Sequence, residues 1–328
     1  MARKTKKRRG ADSPPLDEFP NLVGWRGVSV RVPADWSPVT VSQEGEHGYL
    51  KVISPDTRVL ELKWEQRKGV VSVPDALERY RRQLEKSARK SRQELIWRER
   101  PRGMGPERPR SQAPLTYAWE ADRAACGVIW HCGENNRLVI AELVGELDDD
   151  LSLAPAIFRS VREHRADGWL DWGIDGLHLQ APEKYRLQKH LRMSGNLRLQ
   201  FQRSGQELVV ERWGLAEIVL REASALEWFT ARQEKLLARL RYDAAAVEVN
   251  GHPAWRLEGR ERLPAAAARV LRSLARLTWP ALWFRCWLWS CPQTNRIFAI
   301  SGMERKRDTA VDEIVERLEC HAAAAGGR

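Results

Sequence analysis

The sequence is most constrained by the fact that it repeats itself. Gly27-Val28-Ser29-Val30-Arg31-Val32-Pro33 alternates apolar and polar residues, the period of a half-buried strand, and proline ends it. Adding 149 to each number gives Gly176-Leu177-His178-Leu179-Gln180-Ala181-Pro182, with the same alternation and the same Gly and Pro. Trp36 then meets Tyr185, Trp64 meets Trp213, and Ala76-Leu77-Glu78 meets Ala225-Leu226-Glu227. Tyr80 meets Phe229, and Glu85-Lys86 meets Glu234-Lys235. Unrelated segments do not hold one offset through such unlike residue types, so the reading is a tandem duplication. A longer offset relates the back halves: Trp130-His131-Cys132 matches Trp289-Ser290-Cys291, Asn136-Arg137 matches Asn295-Arg296, and His164 matches His321.

Each copy carries the same order of elements. Two strands, Tyr49–Ser54 and Thr57–Trp64, meet at Pro55-Asp56, and their partners Leu197–Gln202 and Glu207–Trp213 meet at Ser204-Gly205. A helix follows in each, over Asp75–Ser91 and Ser224–Arg241, with Asp75 and Ser224 as its caps. Further strands and a closing helix complete the copy. Helices follow runs of strands, which predicts an α+β fold: two mostly antiparallel sheets flanked by helices, packed as a pseudo-symmetric pair in one chain. The expected divisions are a disordered basic tail at 1–20, a first module at 21–166 and a second at 167–325. The copies diverge in the middle. The first has an Arg/Pro/Gly-rich loop, Arg98–Pro114. The second has a hairpin around Asn250-Gly251, then an amphipathic insert at about 260–280 with Arg269, Arg272 and Arg276 on one helical face.

The pattern Gly-apolar-x-apolar-x-Val-Pro-x-x-Trp, followed by paired strands, a helix, a hairpin and a closing helix, resembles the fold shared by the photosystem II PsbP proteins and the Ran-binding Mog proteins. The resemblance covers 27–165 and 175–322. It implies a PsbP-like α/β/α sandwich in each module and a binding or assembly role without catalysis, and it carries no site residues across.

Charge suggests where a partner would sit. The chain carries a formal net charge of +11, and Arg79 to Arg110 alone holds twelve basic and four acidic residues. Arg79, Arg82, Lys86, Arg89, Lys90, Trp97, Arg98, Arg100, Arg102, Arg108 and Arg110 therefore form the candidate contact for an anionic partner, with Arg269, Arg272 and Arg276 as a second. The first reading of that partner is a protein; the second is a nucleic acid, contacted through this stretch and the N-terminal tail, with Trp97 among arginines offering base stacking. Met1 to Gly10 is polybasic with no apolar stretch behind it, no apolar run is long enough to span a bilayer, and five cysteines make no even framework. The expectation is a cytoplasmic protein.

For chemistry, the repeated Trp-x-Cys-x-x-x-Asn-Arg hairpin sets Cys132 across from Arg137 and Cys291 across from Arg296. A guanidinium beside a thiol favours the thiolate, which is the reactive-thiol or redox-sensor reading. The plainer reading is a small buried cysteine beside a turn. Pairing Cys132 with His164 and Cys291 with His321, with His131 or Cys320 as a further ligand, gives a metal reading, but without close ligand spacing such as Cys-x-x-Cys the expectation is no metal and no cofactor. No phosphate-cradling glycine loop and no paired catalytic carboxylates are present.

Overall fold

The computed structural model describes residues 19–44, 46–99, 104–107, 113–262 and 282–321. The chain divides between Arg165 and Ala166 into two compact units.

In the first unit, β1 (Asn21–Trp25) and β2 (Val28–Val32) form a hairpin. Its two-residue turn has φ of 50° at Arg26 and 83° at Gly27, which suits a type I′ turn and explains the glycine at its second place. A seven-stranded antiparallel sheet follows, built from β3 (Ser37–Glu44), β4 (His47–Ile53), β5 (Val59–Gln66), β6 (Ile96–Glu99), β7 (Leu115–Glu120), β8 (Ala124–Cys132) and β9 (Arg137–Gly145). Its order is β3-β4-β5-β9-β8-β7-β6, so the last strand returns to the centre beside β5. The central strands β8 and β9 are buried on both faces, and their residues form nearly continuous apolar runs. Helix α1 (Val73–Lys90) packs on β7 and β8, setting Ala76 against Ile129 and Leu138. Helix α2 (Ala154–Ser160) packs on β2 and β8. Because neighbours on a strand point to opposite faces, Ile129 serves the α1 layer and Trp130 the other.

The second unit opens with the hairpin β10 (Trp169–Ile174) and β11 (Leu177–Pro182), whose turn has φ of 50° at Asp175 and 71° at Gly176. Its sheet contains β12 (Arg186–Met193), β13 (Asn196–Arg203), β14 (Gln206–Gly214), β15 (Leu240–Val249), β16 (His252–Glu261), β17 (Leu282–Cys291) and β18 (Arg296–Arg305). The order is β12-β13-β14-β18-β17-β16-β15, strand for strand that of the first sheet. Three short helices stand after β14: α3 (Ala216–Leu220), α4 (Ala225–Arg232) and α5 (Glu234–Leu237). They bury Phe229 and Leu237 against Leu257, Phe284, Cys286 and Leu288. Helix α6 (Ala310–Glu316) packs on β11, β17 and β18.

Several expectations need correction. Strand dominates, and α1 is the only helix longer than eight residues among the described residues. The cap of α1 is Ser72, whose hydroxyl accepts from the Asp75 amide at 3.3 Å; Asp75 lies inside the first turn. The single helix expected over Ser224–Arg241 is broken, and its end is strand β15. Ser224 does cap α4, in a reciprocal box with Glu227. Ser224→Ala is expected to cost about 1 kcal/mol, read as faster hydrogen exchange in α4. The offset of 149 also slips. In the first unit Trp64 pairs with Val139, whereas in the second Arg212, not Trp213, pairs with Phe298, the residue 159 beyond Val139. The connection between β13 and β14 is shorter than that between β4 and β5, so Trp64 is buried on one face while Trp213 turns to the other and meets Trp228 edge-on at 5.5 Å. The loop expected over Arg98–Pro114 begins as strand β6. Most of the insert at 260–280, with Arg269, Arg272 and Arg276, lies outside the described residues, as do Arg100, Arg102, Arg108, Arg110 and the tail through residue 18.

Candidate functional site

Helix α1 is fixed to the sheet by its small and aromatic residues, and that fixes what it shows outside. Ala76 and Ala88 are buried, and Tyr80 points inward. Arg79, Arg82, Lys86, Arg89 and Lys90 are all exposed. At 3.6 residues per turn these five cations fall within roughly a 100° arc, a stripe along the helix. Arg82 pairs with Glu78 at 3.0 Å; the other four make no ion pair among the described residues. The other described members of the sequence-predicted patch, Trp97 and Arg98, have partners elsewhere. Trp97 is half-buried and stacks on Tyr117 with centroids 4.8 Å apart, and the Arg81 guanidinium lies over its ring at 5.9 Å. Arg98 pairs with Glu120 at 3.2 Å.

Beneath α1 lies a polar cluster that sequence reasoning missed. Glu142, in the middle of β9, is fully buried, and its carboxylate accepts from Tyr117 Oη at 3.0 Å, Trp119 Nε1 at 2.9 Å and Tyr80 Oη at 3.0 Å. Burial pushes this carboxyl above its ordinary value of 4.5, against the opposing pull of Lys63 and the three donors. The signal was a lone Glu in the apolar run Leu138–Val144. The buried carboxylate is satisfied by these donors, and its bond to Tyr80 ties α1 to the sheet.

The hairpin cysteines are where the register was expected to put them. Cys132 pairs with Arg137, and Cys291 with Arg296. Both guanidiniums nevertheless serve the backbone: Arg137 donates to the Glu163 carbonyl at 3.0 Å and Arg296 to the Gly176 carbonyl at 2.9 Å. Burial raises the Cys132 thiol, opposite to the direction an activated nucleophile needs. All five cysteines are buried and free.

What surrounds the cysteines differs between the units. In the first, Cys132 Sγ stands 3.4 Å from His164 Nδ1, while His164 Nε2 pairs with Glu134 at 2.6 Å and buried Glu163 lies 3.9 Å from Nδ1. In the second, four residues that can ligate a metal meet: His252, Cys291, Cys320 and His321, with one ligand atom from each and all four within 4.8 Å of one another. Burial lowers the His252 imidazole and raises the Cys320 thiol. The expectation of no metal rested on sequence spacing. The fold brings these four together from the first residue of β16, the last of β17 and the segment after α6.

No family model matches the chain, and no curated protein matches it. Among solved structures it is similar to the solution structure of cyanobacterial PsbP (CyanoP) from Synechocystis sp. PCC 6803. The identity is 15%, the match covers 44% of this chain and 93% of that one, and the TM-score is 0.33. Among the described residues no helix is long and apolar enough to cross a membrane.

Proposed function

We propose that the chain is a non-catalytic cytoplasmic binding protein made of two copies of one PsbP-like module, and that the basic face of α1 contacts an acidic protein partner. The observation that carries this reading is the stripe of Arg79, Arg82, Lys86, Arg89 and Lys90, exposed and largely unpaired on the longest helix described. The corresponding place in the second unit bears no such stripe; its helices are short, and Arg232 there stacks on Trp213 at 3.9 Å. The two modules share a strand order and differ at this surface, where a duplicated module has room for a new role. Buried free thiols suit a reducing compartment.

Nucleic acid is the second reading, since phosphate would also meet the stripe. Trp97, its best stacking residue, already lies between Tyr117 and Arg81, which favours the protein partner. Fluorescence anisotropy of the full chain with a labelled Glu/Asp-rich peptide and with single-stranded RNA of equal charge separates the two. The expected result is peptide binding at low salt that weakens as salt rises, with RNA bound no more tightly. Peptide that stays unbound at low salt would remove the proposal. RNA bound far more tightly, with a steep salt slope, would replace it with the second reading.

A further inference from the structure

We infer that the second unit holds a structural zinc-class metal ion on His252 Nε2, Cys291 Sγ, Cys320 Sγ and His321 Nδ1. The first support is geometric. Metal–nitrogen bonds of about 2.0–2.1 Å and metal–sulfur bonds of about 2.3 Å give tetrahedral edges of roughly 3.3–3.4 Å between nitrogens and 3.5 Å between nitrogen and sulfur. In the structure His252 Nε2 lies 3.3 Å from His321 Nδ1, and that nitrogen lies 3.5 Å from Cys291 Sγ and 3.2 Å from Cys320 Sγ. The three edges that meet at His321 Nδ1 thus have the lengths of a coordination tetrahedron, and all four ligand atoms lie within 4.8 Å of one another.

The second support is a count of partners. His321 Nδ1 has one lone pair or one N–H, directed in the ring plane, yet three ligand-type atoms surround it at these distances. That nitrogen can make one hydrogen bond at most to its three neighbours, although Cys291 Sγ also reaches Gln293 Oε1 and the Cys320 carbonyl; a cation at the centre would be ligated by all four. Two thiolates also neutralise a divalent ion, so the whole group is neutral and suits burial. His252, Cys291 and Cys320 are each less than 5% exposed, which leaves no open position for water and marks the site as structural. Sulfur and imidazole together select zinc over magnesium or calcium.

The third support is the surrounding shell. The turn Asn250-Gly251, with φ of 51° and 77°, carries His252 directly after it. Asn250 Nδ2 donates to the Leu318 carbonyl at 2.9 Å and lies 3.6 Å from Cys320 Sγ, tying the turn to the segment that bears two ligands. That segment is also fixed from the other side, where the Glu319 amide donates to the His178 carbonyl at 3.0 Å. The first unit has a smaller group, Cys132, Glu163 and His164. Glu163 stands where Cys320 does, and no histidine occurs between His47 and His131 to match His252.

The test uses the full chain, purified without chelator from zinc-supplemented medium, with metal measured by inductively coupled plasma mass spectrometry. One zinc per chain is expected, retained in Cys286→Ala and lost in His252→Gln and Cys320→Ser. Because a ligand variant can fail to fold, cobalt(II) titration of the chelator-treated native chain gives an independent reading. Strong tetrahedral d–d bands with thiolate-to-cobalt charge transfer are expected, saturating at one equivalent and displaced by zinc. Asn250→Gly keeps the turn's backbone and is expected to weaken cobalt affinity by about 10–100-fold with the same spectrum. A chain that emerges metal-free and gives only the weak bands of octahedral cobalt would overturn the site. So would a Cys291–Cys320 disulfide in the intact mass of the protein purified under reducing conditions.

Discussion

Replacing Glu142 by leucine is expected to destabilise the first unit by about 3–5 kcal/mol, although it removes a buried charge. The carboxylate is the shared acceptor for Tyr80, Tyr117 and Trp119, and leucine removes it from all three, Tyr117 being fully buried and Tyr80 and Trp119 half-buried. Each orphaned donor costs roughly 1–3 kcal/mol, more than relief from burying one charge returns. Loss of hydrogen-exchange protection in β8 and β9 measures the effect in this unit. Glu142→Leu combined with Tyr117→Phe should cost less than the sum of the two single changes, because the second removes a donor that the first orphaned. Glu142→Gln behaves differently, because it keeps an acceptor and removes the charge. The native carboxyl titrates above 4.5 in the folded chain, so the folded state holds its proton longer than the unfolded state does. Native stability from this group is therefore greatest in acid and is lost as pH rises from about 4.5 through the raised value. The stability of Glu142→Gln relative to the native chain should accordingly grow over that rise. A gap that shrinks would contradict burial as the dominant cause of the shift.

Trp130→Ala and Trp289→Ala are each expected to cost about 3–5 kcal/mol, against about 1–2 kcal/mol for Trp97→Ala. The first two rings are fully buried, and Trp289 stacks on Phe298 with centroids 5.2 Å apart. Trp97 is half-buried on an edge strand and loses one stacking partner. Denaturant midpoints for the three variants give the order directly. If Trp97→Ala proves the most damaging, the repeated Trp-x-Cys hairpin is not the packing element described above.

The residues that were legible in the sequence are those whose role is local. Gly27 and Gly176 were legible as a repeated glycine at the head of a strand, whereas the hairpin turns they complete, and β1 and β10 before them, were not. Ser224 marked a helix start because a cap acts within one turn, and the structure adds its box with Glu227. Alternation in 28–32 and 177–182 marked strands with one polar face. What was illegible depends on distant pairing. A shorter connection between β13 and β14 moved Trp213 off the face that Trp64 occupies, and residue types alone give no sign of that slip. The pairing of Cys291 with His321 was legible from the repeat, but His252 was not, because only the β16–β17 register and the return after α6 bring it to them. Glu142 was visible as an anomaly, but its partners come from α1 and β7. The five cations of the stripe were legible as part of a longer basic stretch, but not their separation from Trp97 and Arg98, which pack on β7 instead.

The claim that α1 is the partner surface is tested most directly by reversing its charge. A chain carrying Arg79→Glu, Lys86→Glu, Arg89→Glu and Lys90→Glu changes four exposed side chains that make no ion pair among the described residues, so folding should be unaffected, as circular dichroism can verify. Anisotropy with the acidic peptide at low salt should then show affinity reduced by about tenfold or more, a change of 1.4 kcal/mol or greater. An affinity equal to that of the native chain would contradict the assignment and place the contact elsewhere on the protein.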